Sequence, residues 1–181
     1  MRKSLFFWIV LLGFVFAQKQ DTIIIRTSMG DMTAVLYGDV APKHASNFKK
    51  LIKKGFFNGC QFHRVVKNFV IQGGDPKSKD MNFKDDGTGG PGYTIPAEIK
   101  LPHVKGAIGA ARESDKINPT RRSSGSQFYI CLTDLPHLDN KYTVFGQLIE
   151  GWAVLDSIAG VKVGERDHPV EPVWIEKIIV K

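Results

Sequence analysis

Arg64 stands in the run Phe62-His63-Arg64-Val65-Val66-Lys67-Asn68-Phe69-Val70-Ile71-Gln72-Gly73-Gly74-Asp75, and an arginine inside an apolar, strand-like stretch needs a reason to be there. A guanidinium offers five donors in a rigid fork and stays charged at any physiological pH. It can tie its strand to a carboxylate or to neighbouring carbonyls, the reading that residue type alone favours, or it can serve a site as a fixed cation. Paired glycines permit backbone angles denied to other residues, so Gln72-Gly73-Gly74-Asp75 marks a sharp turn. The run therefore reads as a strand whose edge faces a cleft.

Other chemistries find little support. Gly87-Thr88-Gly89-Gly90 is rich in glycine but does not lead from a strand into a helix, so it reads as a turn and not as a phosphate cradle. Gly125-Ser126-Gln127 lacks the second glycine of a nucleophile elbow. His44, His63, His103, His137 and His168 are scattered without ligand spacing, so neither a metal nor a cofactor is expected. Cys60 and Cys131 either close a disulfide or act as small buried hydrophobes within strands.

The Arg64 stretch resembles the signature of the cyclophilin family of peptidyl-prolyl cis/trans isomerases, in which F-H-R and Q-G-G-D stand at this spacing. Further family-like elements follow in order: Gly87-Thr88-Gly89-Gly90, Gly125-Ser126-Gln127-Phe128-Tyr129-Ile130 and Leu138-Asp139-Asn140-Lys141-Tyr142-Thr143-Val144-Phe145-Gly146. The resemblance spans residues 22–181. It implies catalysed rotation about X-Pro bonds, whose barrier of about 20 kcal/mol comes from amide resonance. As the bond twists, conjugation is lost and the proline nitrogen gains a localised lone pair, which a preorganised donor in a low dielectric stabilises. Arg64 is the counterpart of the family's catalytic arginine. By the same resemblance Phe69, Val70, Tyr129 and Leu138 line the proline socket, while His63, Gln72, Ala111, Arg112, Gln127 and Tyr142 border the groove. Periodicity alone would assign Phe69, Val70 and Leu138 to ordinary core.

Four positions depart from the family pattern. His137 stands where a tryptophan is frequent, Tyr142 where a histidine is, Val70 replaces the usual methionine, and Arg112 takes a place often held by asparagine. The tryptophan is associated with cyclosporin, so weak cyclosporin binding is expected. The loop over residues 112–125 is longer than in most relatives and carries Arg112, Lys116, Arg121 and Arg122 against Glu113 and Asp115; it either biases the groove, its neighbour by resemblance, toward acidic or extended polypeptides or is a solvated surface loop.

The elements that must position these residues are mostly strands. Residues 22–28 and 32–37 read as a hairpin, 106–111, 127–132, 143–149 and 173–180 as further strands. Over 41–54 the period changes: Ala45, Phe48, Leu51 and Ile52 share one helical face and Lys49, Lys50, Lys53 and Lys54 the other. A second, short helix is expected over 152–158. Many strands with one early and one late helix suggest a barrel with helices over its ends. The resemblance makes it a closed eight-stranded antiparallel β-barrel capped by two α-helices.

The N-terminus differs in kind. Arg2 and Lys3 precede an apolar run ending at Phe16-Ala17, the outline of a secretory signal peptide over residues 1–17, with the isomerase domain over 18–181; an uncleaved anchor is the alternative, though the run is short for a membrane span. Loss of that leader lowers the formal charge of +7 by two and leaves no segment for stable membrane association. Export is expected, to the periplasm by preference, with secretion or a secretory-pathway lumen as alternatives. The lysines are dispersed, so nucleic acid is not an expected partner. A monomer acting on proline-containing polypeptides and unfolded exported proteins is the expected form. The alternative is a chaperone or scaffold that grips proline segments with little turnover.

Overall fold

The structure is a computed structural model that describes residues 21–181. The expected leader lies outside them. Isoleucines and threonines with alternating burial build the first hairpin, in which β1 (Asp21–Thr27) and β2 (Gly30–Leu36) pair in unbroken register from Asp21 opposite Leu36 to Thr27 opposite Gly30. There follow α1 (Pro42–Lys53), β3 (Cys60–Gln61), β4 (Arg64–Val66), β5 (Val70–Gly73), β6 (Thr94–Ile95), β7 (Ala107–Ala110), β8 (Ser123–Ser124), β9 (Phe128–Cys131), β10 (Val144–Glu150), α2 (Trp152–Ala159) and β11 (Trp174–Val180). Among the described residues no helix is long and apolar enough to cross a membrane.

Nine strands form one antiparallel sheet in the order β3-β11-β1-β2-β10-β7-β9-β5-β4, and β6 pairs with β8 apart from it. The two edge strands, β3 and β4, are consecutive in the chain with only Phe62 and His63 between them. The sheet is therefore strongly curled, and its edges approach at a two-residue joint. This corrects the expected closed eight-stranded barrel: the ladder has nine strands and does not continue between β3 and β4, because the joint turns the chain from pairing with β11 to pairing with β5. The Arg64 stretch is also not one strand but a hairpin. Asn68 takes the left-handed turn conformation at φ 59°, which asparagine tolerates better than most residues, and β5 is then an interior strand.

Inside the curl lies the main core. Phe48 from α1 packs against Phe57, Phe128 and Phe145 with ring centroids 4.7, 5.3 and 5.2 Å apart, and Phe62 closes on Phe128 at 6.1 Å. Alternation along the strands separates this core from a second apolar cluster on the opposite face. In β9, Phe128 and Ile130 point to the core, whereas Tyr129 and Cys131 join Val70, Leu135, Leu138 and Val144 in the second cluster. The second cluster carries the site.

Helix α1 starts without a side-chain cap of its own, since Ala41 is its N-cap residue. Glu98, distant in sequence, takes that role. Its carboxylate accepts from the backbone N–H groups of Lys43 at 3.1 Å and His44 at 3.0 Å, and from His44 Nδ1 at 2.7 Å. Burial would raise the Glu98 carboxyl, but the His44 and Lys43 hydrogen bonds outweigh it and hold the group below its usual range. Glu98→Ala should destabilise the fold by about 1–2 kcal/mol, the usual scale for losing a helix cap. Urea midpoints for the two proteins check this, and equal midpoints would refute it.

Candidate active site

The strand register lines up one row of residues across four strands: Arg64 in β4 faces Gln72 in β5, Gln72 faces Tyr129 in β9, and Tyr129 faces Gly109 in β7. Residues paired this way project to the same side of the sheet. A Cβ at Gly109 would lie 2.2 Å from the Tyr129 ring, so the missing side chain is what lets the tyrosine lie across β7 toward Val144 of β10, the next residue of the row. Beside this row opens a pocket of about 150 Å³ lined by Arg64, Phe69, Val70, Gln72, Ala111, Arg112, Tyr129, Leu138 and Tyr142. A cavity of roughly that volume holds a benzene ring, so a pyrrolidine ring fits.

Three groups hold the Arg64 guanidinium at the pocket edge. Nη1 donates to Gln72 Oε1 at 3.5 Å, Nε lies 3.5 Å from an Asp167 carboxylate oxygen, and the cation sits 5.9 Å from the centre of the Phe69 ring. Gln72 is itself fixed, donating to Gln127 Oε1 at 3.0 Å, and Gln127 donates to the carbonyls of Gly87 at 2.9 Å and Gly89 at 2.8 Å. Behind this chain lies Asp75, fully buried. Its carboxylate accepts from the N–H groups of Lys77 at 2.8 Å, Gly87 at 2.6 Å and Gly89 at 3.0 Å. The glycine-rich segment thus does cradle an anion with its backbone. That anion is the protein's own carboxylate.

The pocket floor is tethered as well. Tyr129 Oη lies 2.9 Å from His103 Nε2, and His103 Nδ1 lies 2.9 Å from Asp139 Oδ1. Burial lowers the His103 pKa against the pull of Asp139 and pushes Tyr129 well above its usual range. A neutral His103 then donates from Nδ1 to Asp139 and accepts the Tyr129 hydroxyl at Nε2, the tautomer that satisfies all three groups. This link escaped the sequence reading, which set His103 aside as scattered.

The remaining expected residues fall around the pocket. Gln127 borders a wider groove of about 940 Å³ together with Gln72, Ala111, Arg112 and Arg122. The exposed His137 ring stacks on Phe69, centroids 5.8 Å apart and planes at 21°. Arg112 lies over the Tyr142 ring at 4.3 Å, its side chain covered and bound to Asp115 at 2.7 Å, while Asp115 also holds Arg121 at 2.9 Å. Both cysteines are free and buried, with burial raising the Cys60 thiol to about 11 and the Cys131 thiol to about 12.

His63 lies behind Arg64, not on the pocket wall. It faces a neighbouring cavity of about 360 Å³ shared with Arg64, Gln72, Asp86, Arg166, Asp167 and His168, and among the described residues neither of its ring nitrogens has a hydrogen-bond partner. Burial pushes its pKa down to about 4 despite the pull of Asp75. The unfolded chain takes up this proton near pH 6.5, so the stabilising effect is complete above that pH and is lost as pH falls toward the folded value. Burial lowers His44 and His103 in the same direction. Stability should therefore drop by about 2 kcal/mol or more between pH 7.5 and pH 5. Urea unfolding at the two pH values measures it, and a flat profile would contradict the burial of a neutral His63.

A curled antiparallel sheet that sets a ring-sized apolar pocket beside a held arginine defines a cyclophilin-type fold and site. The comparisons agree. The family model for cyclophilin type peptidyl-prolyl cis-trans isomerase matches residues 22–180. A peptidyl-prolyl cis-trans isomerase of Helicobacter pylori is 42% identical over 139 residues, covering 74% of this chain and 77% of that one. A probable peptidyl-prolyl cis-trans isomerase of Brucella suis is 40% identical over 148 residues, covering 78% and 73%. The crystal structure of a Cryptosporidium parvum cyclophilin type isomerase superposes with a TM-score of 0.81 at 29% identity, over 90% of this chain and 98% of that one. The same protein, in a structure determined in the presence of the dipeptide Ala-Pro, gives 0.79 at 30% identity, over 88% and 98%. The chain belongs to the cyclophilin-type peptidyl-prolyl cis-trans isomerase family.

Proposed function

We propose that the enzyme isomerises X-Pro bonds in exported polypeptides, with the proline ring in the pocket formed by Phe69, Val70, Tyr129 and Leu138 and with Arg64 acting on the twisted amide. The observation that carries this reading is the pairing of a ring-sized apolar pocket with a guanidinium fixed at its rim. The ring anchors one side of the bond. Arg64 then stabilises the lone pair that localises on the proline nitrogen as conjugation breaks, and catalysis follows because this interaction is stronger in the twisted state than in either planar isomer. Gln72 and Gln127 hold the fork in place, and the groove bordered by Ala111, Arg112 and Gln127 takes the adjoining peptide backbone. Within that groove Arg122 bonds to Thr94 and, among the described residues, has no carboxylate partner, so it is a cation that an acidic side chain would meet.

The apolar leader assigns the enzyme to an exported compartment, the periplasm by preference, as a monomer serving newly exported chains. The test has two arms: acceleration of X-Pro exchange in a short peptide and of proline-limited refolding of an exported protein, alongside fractionation of cells producing the full chain. Absence of acceleration in both rate assays would overturn the activity, and recovery in the cytosol would overturn the compartment.

Cyclosporin should bind weakly. His137 offers a smaller, more polar surface than the tryptophan frequent there, and it is already stacked on Phe69. Titration calorimetry with the purified protein is expected to give a dissociation constant above the micromolar range, and a submicromolar value would refute the expectation.

A further inference from the structure

We propose that Asp167 is a positioning residue for Arg64, held in a strained turn so that its carboxylate fixes the guanidinium in the catalytic orientation. The inference rests on the isomerase reading of Arg64. Among the described residues Asp167 is the only carboxylate within 4.0 Å of an Arg64 nitrogen, and it approaches Nε, the side of the fork that neither Gln72 nor Phe69 reaches. With Nε paired electrostatically to Asp167 and one Nη1 hydrogen on Gln72, Nη2 and the other Nη1 hydrogen have no partner among the described residues and can meet a substrate in the pocket.

The backbone behind Asp167 supports a dedicated role. Arg166 and Asp167 lie consecutively in the left-handed region, at φ 57° and 61°, a conformation that costs energy for residues other than glycine. The surroundings enforce it. Arg166 donates to the carbonyls of Lys84 at 2.7 Å and Asp86 at 3.1 Å, His168 Nε2 lies 3.1 Å from Asp86 Oδ2, and the His168 carbonyl accepts from Gly164 at 2.8 Å. The turn is thus clamped on both sides of Asp167 while its carboxylate points at Arg64. A half-exposed ion pair adds little to stability, so strain of this kind is poorly explained by folding alone.

The test compares kcat and KM for X-Pro isomerisation in wild type, Asp167→Ala, Asp167→Asn and Asp167→Gly, each also in an Arg64→Ala background. Asp167→Ala should lower kcat by about tenfold with KM within about twofold, since misplacement of a catalytic group costs rate more than binding. Asp167→Asn keeps an acceptor and tolerates the left-handed backbone, so it should recover to within about threefold of wild type. Asp167→Gly relieves the strain, and should match or exceed wild type in melting temperature while losing kcat as alanine does, which guards against a misfolded alanine variant. In the Arg64→Ala background the Asp167 substitutions should leave the residual rate unchanged. An unaltered kcat, or equal losses with and without Arg64, would overturn the proposal. Should wild type show no isomerisation, the activity reading fails instead, and the Arg64 Nε–H resonance still decides: sharp in wild type and broadened in Asp167→Gly supports the positioning role, identical in both refutes it.

Discussion

Arg64→Ala is expected to lower kcat/KM for X-Pro isomerisation by about 10²- to 10³-fold, the scale seen when a preorganised donor to a developing charge is removed. Pocket and groove would survive the change. Arg64 is about a third exposed, and the partners it leaves, Gln72 and Asp167, keep a glutamine contact and access to water respectively. Folding stability should therefore stay within about 1 kcal/mol of wild type, as for other partly exposed ion pairs. Arg64→Lys should recover little of the rate, because an ammonium on a flexible stem cannot occupy Asp167 and Gln72 while still presenting a donor to the pocket. Peptide exchange rates measured by NMR, with urea unfolding as the control, test both claims. A rate within about threefold of wild type for Arg64→Ala would remove Arg64 from the chemistry and leave the pocket as a binding site.

What the sequence made legible follows from the range over which each signal acts. Local patterns worked: the β1–β2 hairpin lies where an isoleucine-rich run and a glycine turn put it, the lysine-faced helix α1 where the helical period put it, and the late helix α2 where it was expected, with boundaries shifted by one or two residues. The family signature brought together, on one pocket, nine residues drawn from four stretches of chain. Interactions that depend on register between distant segments were not legible. Nothing in a linear reading joins Glu98 to the start of α1, His103 to Tyr129, or Asp167 to Arg64, because each contact exists only after the sheet has curled. The Arg64 stretch misled for a different reason. Its apolar residues suit one long strand, and only Asn68, able to adopt the left-handed turn, betrays the hairpin that sets Arg64 opposite Gln72. In the structure the arginine both lies beside a carboxylate, that of Asp167, and lines the cleft.

Asp75→Ala should be the most damaging single change to the fold near the site, costing about 3 kcal/mol or more, the scale for leaving three backbone donors without their acceptor. Asp75 is fully buried, and its carboxylate satisfies three backbone N–H groups, of Lys77, Gly87 and Gly89, that have no other acceptor among the described residues. Each orphaned donor costs about 1–3 kcal/mol. A Cβ at Gly89 would stand 2.1 Å from Asp75 Oδ1, so the loop closes on the carboxylate too tightly for a substitute to enter by small shifts. Asp75→Asn should rescue only in part. One carboxylate oxygen serves Lys77 and the other serves Gly87 and Gly89, so an amide must turn its NH2 toward at least one donor. Loss of the loop also frees Gln127, whose Nε2 is held by the carbonyls of Gly87 and Gly89, and through it Gln72 and the Arg64 fork. Stability and kcat/KM should therefore fall together in the Asp75 variants. Gln127→Ala should lower kcat/KM with a much smaller effect on stability, because it breaks the link to Gln72 while leaving the carboxylate in its cradle. A stability loss below about 1 kcal/mol for Asp75→Ala would mean that water replaces the carboxylate, and that the aspartate closing the signature stretch is not what holds the groove in shape.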